Sequence, residues 1–187
     1  MSHNELLIDQ GNTRIKWLWA ANGEIEPESA GSGSLDAFIA ANTGRGRPAP
    51  DAVRYSSVAG EDAIHEVTGF CQHHWGIEAQ RMQSQRQQGG VRNAYSQPGS
   101  LGVDRWLAIV GAVASHGTPV VVWDMGTAST LDAVDSRGRH RGGMIYPGPA
   151  TMRRWLVNDT GLDGADEFGA AGLVCWGGAG PGTGGGL

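Results

Sequence analysis

One short pattern is written twice in this chain, and it constrains the fold more than any other feature. Asp9-Gln10-Gly11-Asn12-Thr13 follows the apolar run Leu6-Leu7-Ile8, and Asp124-Met125-Gly126-Thr127 follows Val120-Val121-Val122-Trp123. The 115-residue shift from Asp9 to Asp124 also carries Gly11 onto Gly126 and Gly23 onto Gly138. Each copy reads as strand, acidic tight turn, second strand, glycine turn. A duplicated unit of this kind predicts an α/β chain built as two related halves.

The chemistry of the repeat points to phosphate. A buried aliphatic run makes a central strand, and glycine after the aspartate allows a positive φ that turns backbone N–H groups toward an anion. The aspartate can hold a hydrated cation, while Asn12, Thr13 and Thr127 offer neutral hydrogen bonds to phosphate oxygens. Lys16 adds positive charge nearby. Either copy alone is most simply an ordinary hairpin turn, but two copies in register suit a nucleotide clamped between two halves and imply phosphoryl transfer.

With 187 residues and 40% hydrophobic content the chain can bury a substantial core, as one domain or two small lobes. Its net charge of −5 and its 14 Lys and Arg, which include the Arg45, Arg47 and Arg54 group but nowhere form a long basic run, argue against a nucleic-acid surface. Cys71 and Cys175 lie far apart without metal-ligand spacing, which disfavours a disulfide framework and fits a reducing cytoplasm. Residues 1–5 lack the pattern of a signal peptide, and no apolar run approaches a membrane span.

Along the chain, strands are expected at residues 6–8 and 15–21, the second ending in the hairpin signal Asn22-Gly23. A helix capped by Ser34 runs to about Asn42 and buries Leu35, Phe38 and Ile39. A strand follows at 52–58, then a helix at 63–75 with Ile64, Val67, Cys71 and Trp75 on one face, which leaves His65, His73 and His74 as solvated or core-edge residues rather than ligands. The Gln-rich stretch 83–93 reads as a mobile segment serving substrate entry. From Gly102 a helix places Val103, Trp106, Leu107, Val110 and Ala114 on one face, and the second copy continues with strands at 120–123, 130–134 and 140–145 and a helix at 150–158.

A third feature is Gly99-Ser100-Leu101-Gly102-Val103-Asp104-Arg105-Trp106. A carboxylate at a helix start is ordinarily explained by the exposed N–H groups and the dipole. Beside two phosphate-binding hairpins, Asp104 becomes a candidate general base for an acceptor hydroxyl, with Arg105 available to an anionic substrate group and Gly102 allowing close backbone approach.

The segments DQGNTRIK at 9–16, NAY at 93–95, LGVDRW at 101–106, DMGTAST at 124–130 and GGMIYPG at 142–148 together resemble the type III pantothenate kinases of the actin, Hsp70 and sugar kinase superfamily. The resemblance covers about residues 6–161. It implies duplicated actin-like, ribonuclease H-like ATPase lobes: a first lobe over 1–101, a partial second lobe over 102–161, and an atypical Gly-rich tail over 162–187. It also implies ATP-dependent phosphorylation of pantothenate, the first step toward coenzyme A, by a cytoplasmic homodimer using Mg²⁺ and a monovalent cation such as K⁺ or NH₄⁺. Membrane and nucleic-acid partners are not expected.

Carried onto this chain, the resemblance assigns Asp9, Gln10, Gly11, Asn12, Thr13, Arg14, Ile15 and Lys16 to the first ATP-phosphate segment, with Asp9 also meeting Mg²⁺ through ATP. Tyr95, Gly102, Val103, Asp104 and Arg105 form the pantothenate site, with Asp104 as proton acceptor. Asp124 becomes the monovalent-cation ligand, Thr127 a second phosphate contact, and Gly142-Gly143 the segment near adenosine. After Gly161 the resemblance stops, and the glycine-dense end reads as a flexible tail of a truncated or frame-shifted sequence. That ending also leaves apolar surface around Trp123, Ile145 and Trp155 exposed. An impaired or non-catalytic homologue that retains ATP and pantothenate binding is the alternative reading.

Overall fold

The computed structural model describes residues 3–44, 48–160 and 174–177. The chain divides into two units. Unit 1 takes the described residues up to Gln83 together with Gly102–Asp104, and unit 2 takes Ser84–Leu101 and the described residues from Arg105 onward.

In unit 1, β1 (Asn4–Gln10), β2 (Ile15–Ala21) and β3 (Glu24–Gly33) form an antiparallel meander. Helix α1 (Leu35–Asn42) follows, and β4 (Ala52–Ser57) returns parallel to β1. Helix α2 (Glu61–Trp75) and the short β5 (Gln80–Arg81) complete a sheet of order β3-β2-β1-β4-β5. The strand periodicity explains the layering: Leu6 and Ile8 of β1 and Ile15, Trp17 and Trp19 of β2 are buried with Phe38, Val53, Tyr55, Ile64, Val67 and Cys71. Each such side chain contributes about 1.5–3 kcal/mol on leaving water.

Ser34 caps α1 as expected, accepting a hydrogen bond from the Ala37 N–H. Asn42 accepts the Trp19 indole N–H at 2.7 Å. Helix α2 stops at Gly76 in the left-handed conformation. His65, His73 and His74 are exposed, in keeping with the solvated reading. Strand β3, longer than the hairpin signal alone defines, is Glu-rich and carries Pro27. It lies at the sheet edge, where a missing N–H costs no ladder bond.

Unit 2 opens with a hairpin of β6 (Gln87–Gln88) and β7 (Val91–Arg92). This corrects the expectation of a mobile stretch at 83–93. Gly89 and Gly90 adopt positive φ in the turn, Val91 is fully buried, and Gln88 accepts the indole N–H of the fully buried Trp106. Polar composition concealed a turn whose few anchors face inward. Ser84–Leu101 accordingly pack in unit 2, although the sequence reading places them with the first lobe.

Helix α3 (Val103–His116) leads to β8 (Val120–Met125), β9 (Ala128–Val134), β10 (His140–Pro147) and α4 (Pro149–Thr160). The expected apolar face of α3 is only partly right: Trp106, Ile109 and Ala112 are the buried hydrophobics, whereas Ala114 is exposed. A further strand, β11 (Val174–Gly177), pairs antiparallel with β8. The flexible-tail reading of 162–187 is therefore corrected for these four residues: Val174-Cys175-Trp176 is a short apolar run that a glycine-dense context hid. The remainder of that stretch lies outside the described residues. Trp123, Ile145 and Trp155 are exposed, as expected.

The two sheets repeat one plan. Order β3-β2-β1-β4 in unit 1 corresponds to β10-β9-β8-β11 in unit 2. Gly23 and Gly138, equated by the 115-residue shift, both sit in turns at positive φ, +83° and +72°. The fourth strand differs, since β4 runs parallel to β1 and β11 antiparallel to β8.

Candidate functional site

In unit 1 the eight candidate residues 9–16 form one turn. Gln10 pairs with Ile15 across the hairpin, and the Gly11 N–H donates to the Arg14 carbonyl at 3.1 Å. The expectation of positive φ at Gly11, and at Gly126 in the second copy, is not met. The i→i+3 bond and the flanking ladder shape the first turn without it. Asn12, Thr13 and Arg14 are exposed, while Gln10 and Ile15 are buried, so these two can offer a ligand only backbone groups. Gln10 anchors the turn by donating to the Ala63 carbonyl at 2.8 Å.

Asp9, the last residue but one of β1, pairs with Lys16, whose Nζ lies 3.6 Å from Oδ2. Its Oδ1 accepts the Ser56 hydroxyl at 2.9 Å. The Asp9 side chain remains 43% exposed, a half-open carboxylate that can take a hydrated cation through water. Gly102 lies beside Asp104: a Cβ at 102 would sit 2.6 Å from Asp104 Oδ1, so this position holds the carboxylate only because it carries no side chain. Asp104 itself is exposed at the first turn of α3.

In unit 2, Asp124 of β8 faces Thr130 of β9, and Met125 pairs with Ser129. The connecting turn is shorter than its counterpart, and the Gly126 N–H donates to the Ala128 carbonyl at 3.1 Å. Asp124 and Thr127 are both exposed. Among the described residues no group of three or more His, Cys, Asp or Glu could enclose a metal. A cation at Asp9 or Asp124 would therefore complete its shell with water, backbone or phosphate oxygens, which suits Mg²⁺ carried by a nucleotide and an alkali ion.

Tyr95 and Arg105 are brought together in a buried network that the sequence reading missed in part. Arg105 donates to Asp132 through Nε to Oδ2 at 2.9 Å and through Nη2 to Oδ1 at 2.7 Å. His140 Nε2 meets the same Oδ1 at 2.9 Å, and the Tyr95 ring lies parallel to the His140 ring. Side-chain exposure is 7% for Arg105, 2% for Asp132 and 0% for His140. The hydrogen bond to Asp132 raises the Arg105 pKa above its ordinary value, outweighing burial. Burial pushes Asp132 up, but hydrogen bonds and charge from His140 and Arg105 together hold its carboxyl below the usual range.

Arg105, expected to be available to an anionic substrate group, is thus already paired. Gly143 closes over this network, since a Cβ there would meet Asp132, Arg105 and the Leu131 carbonyl. The missed signal was parity: Asp132 shares the inward face of β9 with Val134, and a carboxylate on that face needs a buried partner.

The family model described as type III pantothenate kinase matches residues 5–163, a span that contains every candidate residue above. The chain belongs to the type III pantothenate kinase family. It is similar to a relative named type III pantothenate kinase from Paraburkholderia phymatum, 36% identical over 93% of this chain and 65% of that relative. A second of the same name, from Azoarcus sp., is 39% identical over 83% of this chain and 59% of that relative. The chain spans about three fifths of the length of these curated relatives. Among solved structures it is similar in fold to a conserved putative Baf family transcriptional activator from Campylobacter jejuni, with a TM-score of 0.50 and 21% identity over 89% of this chain and 69% of that one. The α/β class with a repeated sheet plan in the two units holds. Among the described residues no helix is long and apolar enough to cross a membrane.

Proposed function

We propose that this chain carries the machinery for ATP-dependent phosphorylation of pantothenate to 4'-phosphopantothenate, acting in the cytoplasm as a homodimer. The observation that carries the reading is the family match over residues 5–163, which includes both acidic turns and the Gly102–Arg105 segment. The Asp9–Lys16 turn and Thr127 are the ATP-phosphate contacts, through backbone N–H groups and the exposed Asn12, Thr13 and Thr127 side chains. Asp9 would hold Mg²⁺ carried by ATP, an ion that would neutralise charge on the phosphates. Asp124 holds the monovalent cation, K⁺ or NH₄⁺.

Tyr95, Gly102, Val103, Asp104 and Arg105 bind pantothenate. Asp104, exposed and held against Gly102, accepts the proton of the substrate hydroxyl as its oxygen attacks the γ-phosphorus. The bond from that phosphorus to the β–γ bridging oxygen breaks, and ADP leaves. Phosphoryl transfer draws most of its acceleration from alignment and charge neutralisation, so the demand on the proton acceptor is modest. Arg105, fixed by Asp132, serves as an oriented charge rather than a mobile clamp.

Pantothenate-dependent ADP release, measured for the chain and for Asp104→Asn, tests the reading. The variant is expected to lose roughly 10²- to 10⁴-fold in kcat with ATP binding intact. An equally active Asp104→Asn removes that residue from the mechanism, and a wild-type chain that binds both ligands without turnover marks a non-catalytic homologue.

A further inference from the structure

Although its charged residues are scattered in sequence, the fold of unit 2 gathers three arginines around one open cleft. Arg92, Asn93 and Ala94 form one wall, and Arg139, His140 and Arg141 form the other, enclosing about 430 Å³. An isolated backbone bridge between Arg92 and Arg139 fixes the two walls, and the Arg92 N–H donates to the Gly138 carbonyl at 2.8 Å. All three arginines are exposed. Among the described residues the carboxylate paired with one of these arginines is Asp135, which accepts the backbone N–H groups of Arg137 and Arg139 and lies 3.8 Å from Arg141 Nη1. One carboxylate against three guanidinium groups leaves a net positive cleft in a chain whose overall charge is −5.

Two further observations distinguish this cleft from a chance cluster. His140, which lines it, is buried, and among the described residues its Nδ1, itself shielded from solvent, has no hydrogen-bond partner, a cost usually recovered by a buried water or a ligand. Its other nitrogen is committed to Asp132. The cleft also lies at the far end of the sheet from the Gly126–Thr127 turn. Along β9 the six steps from Ala128 to Val134, which pairs with His140, span roughly 20 Å. A phosphate chain held at Thr127 does not fill it.

We propose that the Arg92–Arg139–Arg141 cleft is a second anion site, taking a small phosphorylated molecule with at least two negative charges. Guanidinium forks match phosphate oxygens bidentately, and two uncompensated positive charges exceed what a monocarboxylate neutralises. A cleft of this volume fits a small molecule.

Tripolyphosphate is the probe. In the full chain at physiological salt, its titration is followed by side-chain Nε–Hε signals of the arginines and by calorimetry. The Arg92, Arg139 and Arg141 signals are expected to move together along one saturable curve. Arg139→Ser with Arg141→Ser is expected to weaken that curve about tenfold or more, while Asp9→Ala leaves it unchanged. Should the serine variant fold poorly, Arg139→Lys with Arg141→Lys keeps the charge, removes the fork and is expected to weaken binding by a smaller factor. Absent or non-saturating shifts at the three arginines overturn the proposal, as does a loss of binding in Asp9→Ala equal to that in the serine variant. The readout needs no turnover, so it stands or falls independently of the kinase reading.

Discussion

Replacing Asp132 by Asn tests the idea that a buried ion pair fixes Arg105. The substitution preserves shape and removes charge. Arg105 is only 7% exposed, so its guanidinium cannot regain bulk hydration without local rearrangement. Breaking a buried pair by removing one partner costs about 3–5 kcal/mol. For a chain of this length each kcal/mol lowers the melting temperature by about 2–4 °C, so the melting temperature of the chain should fall by roughly 6–20 °C. Calorimetry together with Trp106 fluorescence follows it, since that indole lies in the unit 2 core. Arg105→Met combined with Asp132→Leu should recover part of the loss, because an apolar pair leaves no stranded charge even though His140 loses its acceptor. A melting temperature within about 2 °C of wild type for Asp132→Asn would show that Arg105 is not held by this carboxylate, and the account of an oriented charge would fail.

Other expectations follow from the same geometry. Asp9→Ala should abolish Mg-ATP use, whereas Asp124→Ala should erase stimulation by K⁺; titrating each variant with both cations checks this, and identical responses refute the two-cation assignment. Gly102→Ala should displace the Asp104 carboxylate and lower kcat by about tenfold or more with little change in melting temperature, since Asp104 is exposed and Gly102, just before α3, is only half-buried. Asp132 has a lowered native pKa, so it binds fewer protons folded than unfolded. Its stabilisation is present above the unfolded value of about 3.9 and is lost as pH falls through the native value, so denaturant midpoints should decline from about pH 4 downward and more shallowly in Asp132→Asn.

Periodicity made the central elements readable before any coordinates. The Leu6–Ile8 and Ile15–Ala21 strands, the Ser34 cap and the helix carrying Ile64, Val67 and Cys71 all follow from alternating or helical apolar spacing. What escaped was structure held by a few contacts in polar sequence. The Gln87–Arg92 hairpin rests on Val91 and one Gln88–Trp106 bond, neither of which a Gln-rich window displays. Strand β11 escaped because a four-residue strand is defined by its partner, β8, more than by its own composition. In the candidate site, exposed residues of the repeated turns were legible because local spacing defines them. Asp132 and His140 were not, because they join Arg105 only through the registers of β9 and β10.

The two acidic turns differ by a small change in register, and the proposed difference in their ligands rests on it. In the first, Asp9 sits opposite Lys16, and an ion pair of 3.6 Å partly offsets its charge. In the second, the loop closes earlier, so the residue opposite Asp124 is Thr130, a neutral hydroxyl. The 115-residue shift carries Lys16 onto Leu131 rather than onto the cross-strand partner, so the loss of the lysine and the change of register reinforce each other. A carboxylate with a lysine beside it suits an already charge-balanced metal–phosphate ligand. A carboxylate opposite only a hydroxyl retains its full charge and suits a loosely hydrated monovalent ion, whose modest field needs no enclosing cage. On the proposed reading, both turns contact phosphate, and the cross-strand partner decides whether the carboxylate meets a phosphate-bound divalent ion or an alkali cation.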